Sequence, residues 1–368
     1  MNGSQQYGEG AIILDIKTIL STATELGASD IFLIGGLPLT YKIHGRQQRV
    51  EPENRLMPEE LRRIIGQLYS LTERPAMDEG GRVREDDFSF ALPGCGRFRA
   101  NVFYQRGSLS AVIRVIQFGV PDPVRLNIPE SVMALADIQQ GLVLVTGPSG
   151  SGKSSTLACL IDRINENYER TIITMEDPIE IVHPHKKSII IQREISTDTE
   201  SFSTALRAAM RESPDVLLVG EARDAETMEV AMTAAETGQL LFCSMHTLSA
   251  ADTVDRIVDA FPEKKQPQIR AQLARVLRCV VCQKLLRGVD GHMLPAFEIM
   301  YVTPAVQNLI REGKTYQFNS IIQEGGKNGM LSMNSSLLRL VREGRVDRET
   351  ALCASENPIQ LEKRLSDA

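Results

Sequence analysis

The segment Gly147-Pro148-Ser149-Gly150-Ser151-Gly152-Lys153-Ser154 has the spacing G-x-x-x-x-G-K-S. It follows an apolar run at residues 142–146 and opens a helical stretch, the setting in which that spacing forms a phosphate-binding loop. Its glycines let backbone N–H groups curl around an anion, and the helix start adds positive potential. Lys153 is then placed for the β- and γ-phosphates of ATP and Ser154 for Mg²⁺. The expected nucleotide-binding residues are Gly147, Ser149, Gly150, Ser151, Gly152, Lys153, Ser154 and Ser155.

Acids stand where such a loop could use them. The run Asp215-Val-Leu-Leu-Val-Gly-Glu221 reads as a core strand with Glu221 just beyond its carboxyl end, where parallel sheets bind ligands. Glu221 is a candidate for the Mg²⁺ shell, whereas Asp215 sits at the other end and reads as structural. A second strand runs into Glu176-Asp177-Pro178-Ile179-Glu180. Hydrolysis needs a group that orients and deprotonates water, and one of these carboxylates is a candidate. His246 follows a third strand, placed to sense the γ-phosphate by hydrogen bond. Arg97, Arg99, Arg106 and Arg114 alternate with apolar residues on earlier strands; such guanidiniums share a face and could neutralise phosphate charge.

The elements that position these groups fall into two sets. Residues 11–26 and 58–70 read as amphipathic helices, and 30–34, 40–43, 47–50, 88–92, 96–104 and 110–117 as short strands, together an α+β domain. Three prolines and a glycine within residues 118–129 exclude a regular helix or a central strand, the mark of a linker. Apolar runs at 142–146, 171–175, 216–219 and 240–244, separated by helical stretches, predict a parallel sheet buried on both faces. From about residue 263 the chain reads as mostly helical. Cys279 and Cys282 fall in an apparent apolar helix over 273–286, on one face and in the core, with no second ligand pair for zinc.

The chain has 368 residues and a net charge of −6, which argues against a dedicated nucleic-acid binder. No apolar run reaches the length of a membrane span, the N-terminal run is too short for a signal peptide, and the scattered cysteines suit a reduced cytoplasm.

The phosphate loop, Ile-Thr-Met-Glu-Asp-Pro-Ile-Glu, Val-Gly-Glu-Ala-Arg-Asp at 219–224, Met-His-Thr and Asp255-Arg256-Ile257-Val258-Asp259 resemble the secretion ATPases of type II, type IV pilus and type IV secretion systems, especially their pilus-retraction motors. The likeness extends from Ala28-Ser29-Asp30-Ile31 to Asn308-Leu309-Ile310-Arg311-Glu312. It implies an α/β chain with a PAS-like N-terminal domain (1–118), a linker (119–129) and a RecA-like ATPase domain with C-terminal helices (130–368). It also implies a cytoplasmic homo-hexamer that hydrolyses ATP with Mg²⁺ between the two domains. In that reading Glu180 is the general base, Glu221 the Walker B acid, His246 part of the His box, and Arg97, Arg99 and Arg114 complete the site. The work done is pilus disassembly in twitching motility, with an inner-membrane platform protein, and in some systems a second pilus ATPase, as partner. The alternatives are an accessory or regulatory ATP-binding subunit, towards which His185-Lys186-Lys187-Ser188 and the run at 198–202 lean, and a pilus assembly or type II secretion ATPase. Two residues depart from the pattern: Gln239 stands where the family usually has His, and Gln307 where the retraction motors have Arg.

Overall fold

The structure, a computed structural model, describes residues 15–43, 45–72, 85–116, 119–222 and 224–366. Residues 11–14, at the start of the first expected helix, lie outside this set. The chain divides into two units, 1–118 and 119–368, each with its own core.

The first unit contains α1 (Ile16–Glu25), β1 (Ala28–Leu33), β2 (Thr40–Ile43), β3 (Arg46–Arg49), α2 (Pro58–Leu71), β4 (Glu85–Leu92), β5 (Gly96–Gln105) and β6 (Ser108–Ile116). Its antiparallel sheet runs β3-β2-β1-β6-β5-β4. Helical spacing puts Ile16, Ile19, Leu20 and Ala23 of α1, and Leu61, Ile64, Ile65 and Leu68 of α2, on single stripes buried against Ile31, Phe98, Ala100 and Ile113. Along β5 burial alternates, with Phe98, Ala100 and Val102 inward and Arg97, Arg99 and Asn101 on the opposite face.

The second unit opens with residues 119–129, which form neither helix nor strand. They do not hang free. Ile128 is buried, and Pro121 O accepts from Cys159 Sγ at 3.1 Å. There follow α3 (Glu130–Met133), β7 (Gly141–Thr146), α4 (Lys153–Asn167), β8 (Thr171–Glu176), β9 (Ile189–Glu194), α5 (Phe202–Ala209), β10 (Val216–Val219), α6 (Ala225–Glu236) and β11 (Leu240–Met245). Then come α7 (Ala250–Asp259), α8 (Gln266–Val276), β12 (Leu277–Arg287), β13 (Met293–Tyr301), α9 (Pro304–Glu312), α10 (Phe318–Glu324), α11 (Met333–Arg342), α12 (Arg348–Ala354) and α13 (Pro358–Ser366). The seven-stranded sheet has the order β13-β12-β7-β11-β10-β8-β9 and is parallel except for β13. The four expected strands, β7, β11, β10 and β8, are its centre. They are buried throughout except for the two ends of β8, because helices cover both faces.

The region after residue 263 is mostly helical as expected, but the apparent helix over 273–286 is largely strand. Cys279 and Cys282 lie on β12, not on a helix, because nine residues there pair with β13 in antiparallel register. A spacing of three in a strand sends the two thiols to opposite faces: Cys282 packs with Leu273 and Val280, and Cys279 with Val281 and Phe297. Both are fully buried, and burial pushes both thiols far up, so each remains a protonated core residue.

Candidate active site

Parallel strands end on one edge, and here that edge collects the chemistry. Register pairs Thr146 of β7 with Met245 of β11, Cys243 of β11 with Val219 of β10, and Val219 with Met175 of β8. Gly147, His246, Glu221 and Glu176 therefore follow adjacent strand ends. Beside Gly147 opens a cavity of about 340 Å³ lined by Ser149, Lys153, Ser154, Glu180, Glu221 and His246.

The loop from Gly147 to Gly152 has positive φ at Gly147, Gly150 and Gly152 (146°, 75° and 89°). A Cβ on Gly147 would stand 2.2 Å from Gln283 O, so only glycine fits there. Lys153, 8% exposed, donates from Nζ to Gly147 O at 2.9 Å and Pro148 O at 3.0 Å. Burial holds its ammonium below the ordinary lysine range, while Glu221 and then Glu180 pull it back up. The lysine is held by loop carbonyls that an incoming phosphate can outbid. Ser151 Oγ is buried inside the loop without a partner, Ser154 is exposed in the cavity, and Ser155 is half-buried on the first turn of α4.

His246 bridges the loop and Glu221. Its Nε2 lies 3.1 Å from Glu221 Oε1 and its Nδ1 3.5 Å from Lys153 Nζ. One neutral tautomer satisfies both contacts, Nε2–H donating to the carboxylate and Nδ1 accepting from the ammonium.

The acids after β8 are sorted by their partners. Glu176 Oε1 accepts from Thr174 Oγ1 at 2.6 Å and Gln192 Nε2 at 3.1 Å, so it is tied into the turn. Gln192 Nε2 also reaches Ile181 O at 2.9 Å, and Glu194 Oε2 accepts from Ile179 N at 3.1 Å; β9 thereby fixes the segment that carries Glu180. Glu180 is exposed on the cavity wall, close enough to Lys153 to act on its charge. Asp215 Oδ2 accepts from Thr171 N at 2.8 Å at the far end of the sheet, which makes it structural.

Residues 5–313 match the family described as type II/IV secretion system protein. The chain belongs to that family. It is 43% identical over 338 residues to the type IV pilus retractation ATPase PilT of Pseudomonas aeruginosa, covering 92% of this chain and 97% of that one. The type IV pilus ATPase PilU of the same organism is 34% identical over 349 residues, covering 95% and 90%. A crystal structure of the pilus retraction motor PilT with bound ADP superimposes with a TM-score of 0.86 at 44% identity, over 95% of this chain and 99% of that one. The fold is that of a secretion ATPase, an N-terminal domain followed by a RecA-like P-loop ATPase domain, and the chain is a P-loop ATPase.

Within this secretion ATPase the three N-terminal arginines share one sheet face. Arg99 stands directly across from Arg114 on β6, and Arg97 across from Ile116. Arg99 binds Asp87 through two contacts, at 2.9 and 2.6 Å, and Arg114 Nε lies 3.3 Å from Asp30 Oδ1. Arg106 sits at the β5–β6 turn with φ 49°. The two departures from the family pattern are remote from the cavity. Gln239 precedes β11 at the opposite edge of the sheet and accepts from Thr237 Oγ1 at 2.7 Å. Gln307 lies on α9, outside the cavity lining. His183 and Gln283 carry no motif, yet both reach the site. His183 lines the cavity beyond Ile181, 9% exposed, and burial drops its imidazole to about 4, so it is neutral at ordinary pH. Gln283 lies beneath the loop itself.

Proposed function

We propose that this secretion ATPase is the motor subunit of a cytoplasmic homo-hexamer that drives type IV pilus disassembly, with an inner-membrane platform protein as its docking partner. The reading is carried by the convergence of Glu180, Glu221 and His246 on Lys153 around one cavity. Lys153 moves from its loop carbonyls to the phosphates. Glu180, unlike Glu176, has a carboxylate open to the cavity and takes the proton of the attacking water. His246 connects Lys153 to Glu221 and registers whether the γ-phosphate is present.

Ser154 and Glu221 border the same cavity and are the hard oxygen donors that suit Mg²⁺. The ion, when bound, supplies Lewis-acid neutralisation of phosphate charge. Arg97, Arg99 and Arg114 complete the site from the N-terminal domain. Within the linker, Pro121 and Ile128 are anchored on the ATPase unit.

The test is ATP turnover measured with ring mass on purified protein, and twitching in a deletion strain. Turnover by a ring of six, with loss of twitching on deletion, is expected; an intact ring without turnover overturns the motor reading. The second reading, an accessory subunit acting with a partner motor, draws on the PilU likeness and is supported if hydrolysis appears only when a partner ring is added.

A further inference from the structure

Gln283 is the first residue past the stretch where β12 pairs with β7, since Cys282 is registered with Thr146. It is 4% exposed and spans the phosphate loop from beneath. Its main-chain O lies 2.2 Å from where a Cβ on Gly147 would stand, and its Nε2 lies 2.9 Å from where a Cβ on Gly152 would stand. Its Oε1 accepts from Thr156 Oγ1 at 2.8 Å, and Thr156 is fully buried on the first turn of α4. One residue therefore touches both ends of the loop and the helix that the loop opens.

We propose that Gln283 is a positioning residue for nucleotide binding, clamping the loop in its anion-ready curl before ATP arrives. Three glycines with positive φ give this loop many alternatives when unliganded, and each must be surrendered on binding. A clamp that orders the loop in advance improves affinity without touching the phosphates. The fixed amide orientation suits this role: the Thr156 hydroxyl holds Oε1, which turns the Nε2 donor towards Gly152. The inference rests on the loop being the phosphate site.

The experiment compares Gln283→Leu, Gln283→Glu, Thr156→Val and the double variant Gln283→Leu/Thr156→Val, in the full chain, by ATP Kd, KM, kcat and the melting temperature with and without nucleotide. Gln283→Leu is expected to raise Kd and KM roughly tenfold with kcat within about threefold, and to shrink the nucleotide-induced rise in melting temperature. Thr156→Val is expected to do the same more weakly, and the double variant no worse than Gln283→Leu, since both remove one clamp. Gln283→Leu with Kd within about twofold of the parent, or a double variant whose losses add, overturns the proposal. If Gln283→Leu does not fold, Gln283→Glu decides: it keeps the acceptor for Thr156 and loses the donor, and an unchanged Kd overturns the clamp. Lys153→Ala separates the two failures. If it too binds ATP like the parent, the loop is not the phosphate site; if it alone loses binding, only the role of Gln283 falls.

Discussion

His246 stands 3.1 Å from Glu221 through Nε2 and 3.5 Å from Lys153 through Nδ1, so one imidazole joins the residue expected at the phosphates to the acid expected at the metal. Such outer partners orient the groups that do chemistry, and removing them typically costs about 10–100-fold. His246→Ala is expected to lower kcat within that range while ATP still binds, because Lys153 and the loop remain. His246→Gln, which can donate to Glu221 but carries no charge, should recover part of the loss. Steady-state kinetics with a nucleotide-binding titration checks this; a parent-like kcat in His246→Ala would show that the contact is idle.

Glu180 is separated from Glu176 by its freedom. Glu176 is held by Thr174 and Gln192, whereas Glu180 is exposed to the cavity. Glu180→Gln is expected to bind ATP normally and lose about 100-fold or more in turnover. Glu176→Gln should act mainly on the melting temperature. If the two variants exchange these phenotypes, the base is Glu176.

The Arg114–Asp30 pair is asymmetric: the Arg114 side chain is 70% exposed and Asp30 only 10%. An ion pair so exposed contributes about 1 kcal/mol or less, and Lys42 Nζ remains 3.7 Å from Asp30 as a substitute. Arg114→Ala should therefore leave the melting temperature nearly unchanged. If this arginine completes the nucleotide site, turnover falls at least about tenfold. Unchanged turnover removes Arg114 from the site.

Two buried groups oppose each other in acid. Burial raises the Glu298 carboxyl from 4.5 to about 7, although its Oε1 accepts from Ala250 N at the start of α7. Its contribution is fully present below pH 4.5 and is lost as pH rises to about 7. His183, lowered from 6.5 to about 4, acts in the other direction: stability is full above pH 6.5 and lost as pH falls towards 4. Each is worth about 3 kcal/mol at most, so they largely offset. Glu298→Gln, which keeps an acceptor for Ala250, should expose the His183 slope and make melting steeper in acid than in the parent between pH 6.5 and 4.5. Parallel melting curves for parent and variant would refute the offset.

Much of the site was legible because its signals are local. The loop spacing, the buried runs before it and before Glu221, and an acid just past a strand each report on a few consecutive residues. Which acid after β8 stands open to the cavity was not local, since β9 brings Gln192 and Glu194 against residues 176–181. Gln283 has no sequence signal either; 130 residues separate it from Lys153, and only the pairing of β12 with β7 brings it under the loop. The cysteine pair misled for a related reason. A buried apolar run of that length satisfies a helix or a strand, and pairing with β13 settled the matter.

By itself the sequence determined that a phosphate loop sits between a buried strand and a helix, that acids and a histidine follow further strands, and that a proline-rich segment divides the chain. Those are consequences of side-chain size, backbone freedom and hydrophobic period, which act over one or two turns of chain. Tertiary structure alone decided which of these groups meet. Parallel register brought His246 between Lys153 and Glu221, hydrogen bonds from β9 left Glu180 open to the cavity, and β12 set Gln283 beneath Gly147 and Gly152. Such contacts depend on strand order, and strand order is written in no single segment of the chain.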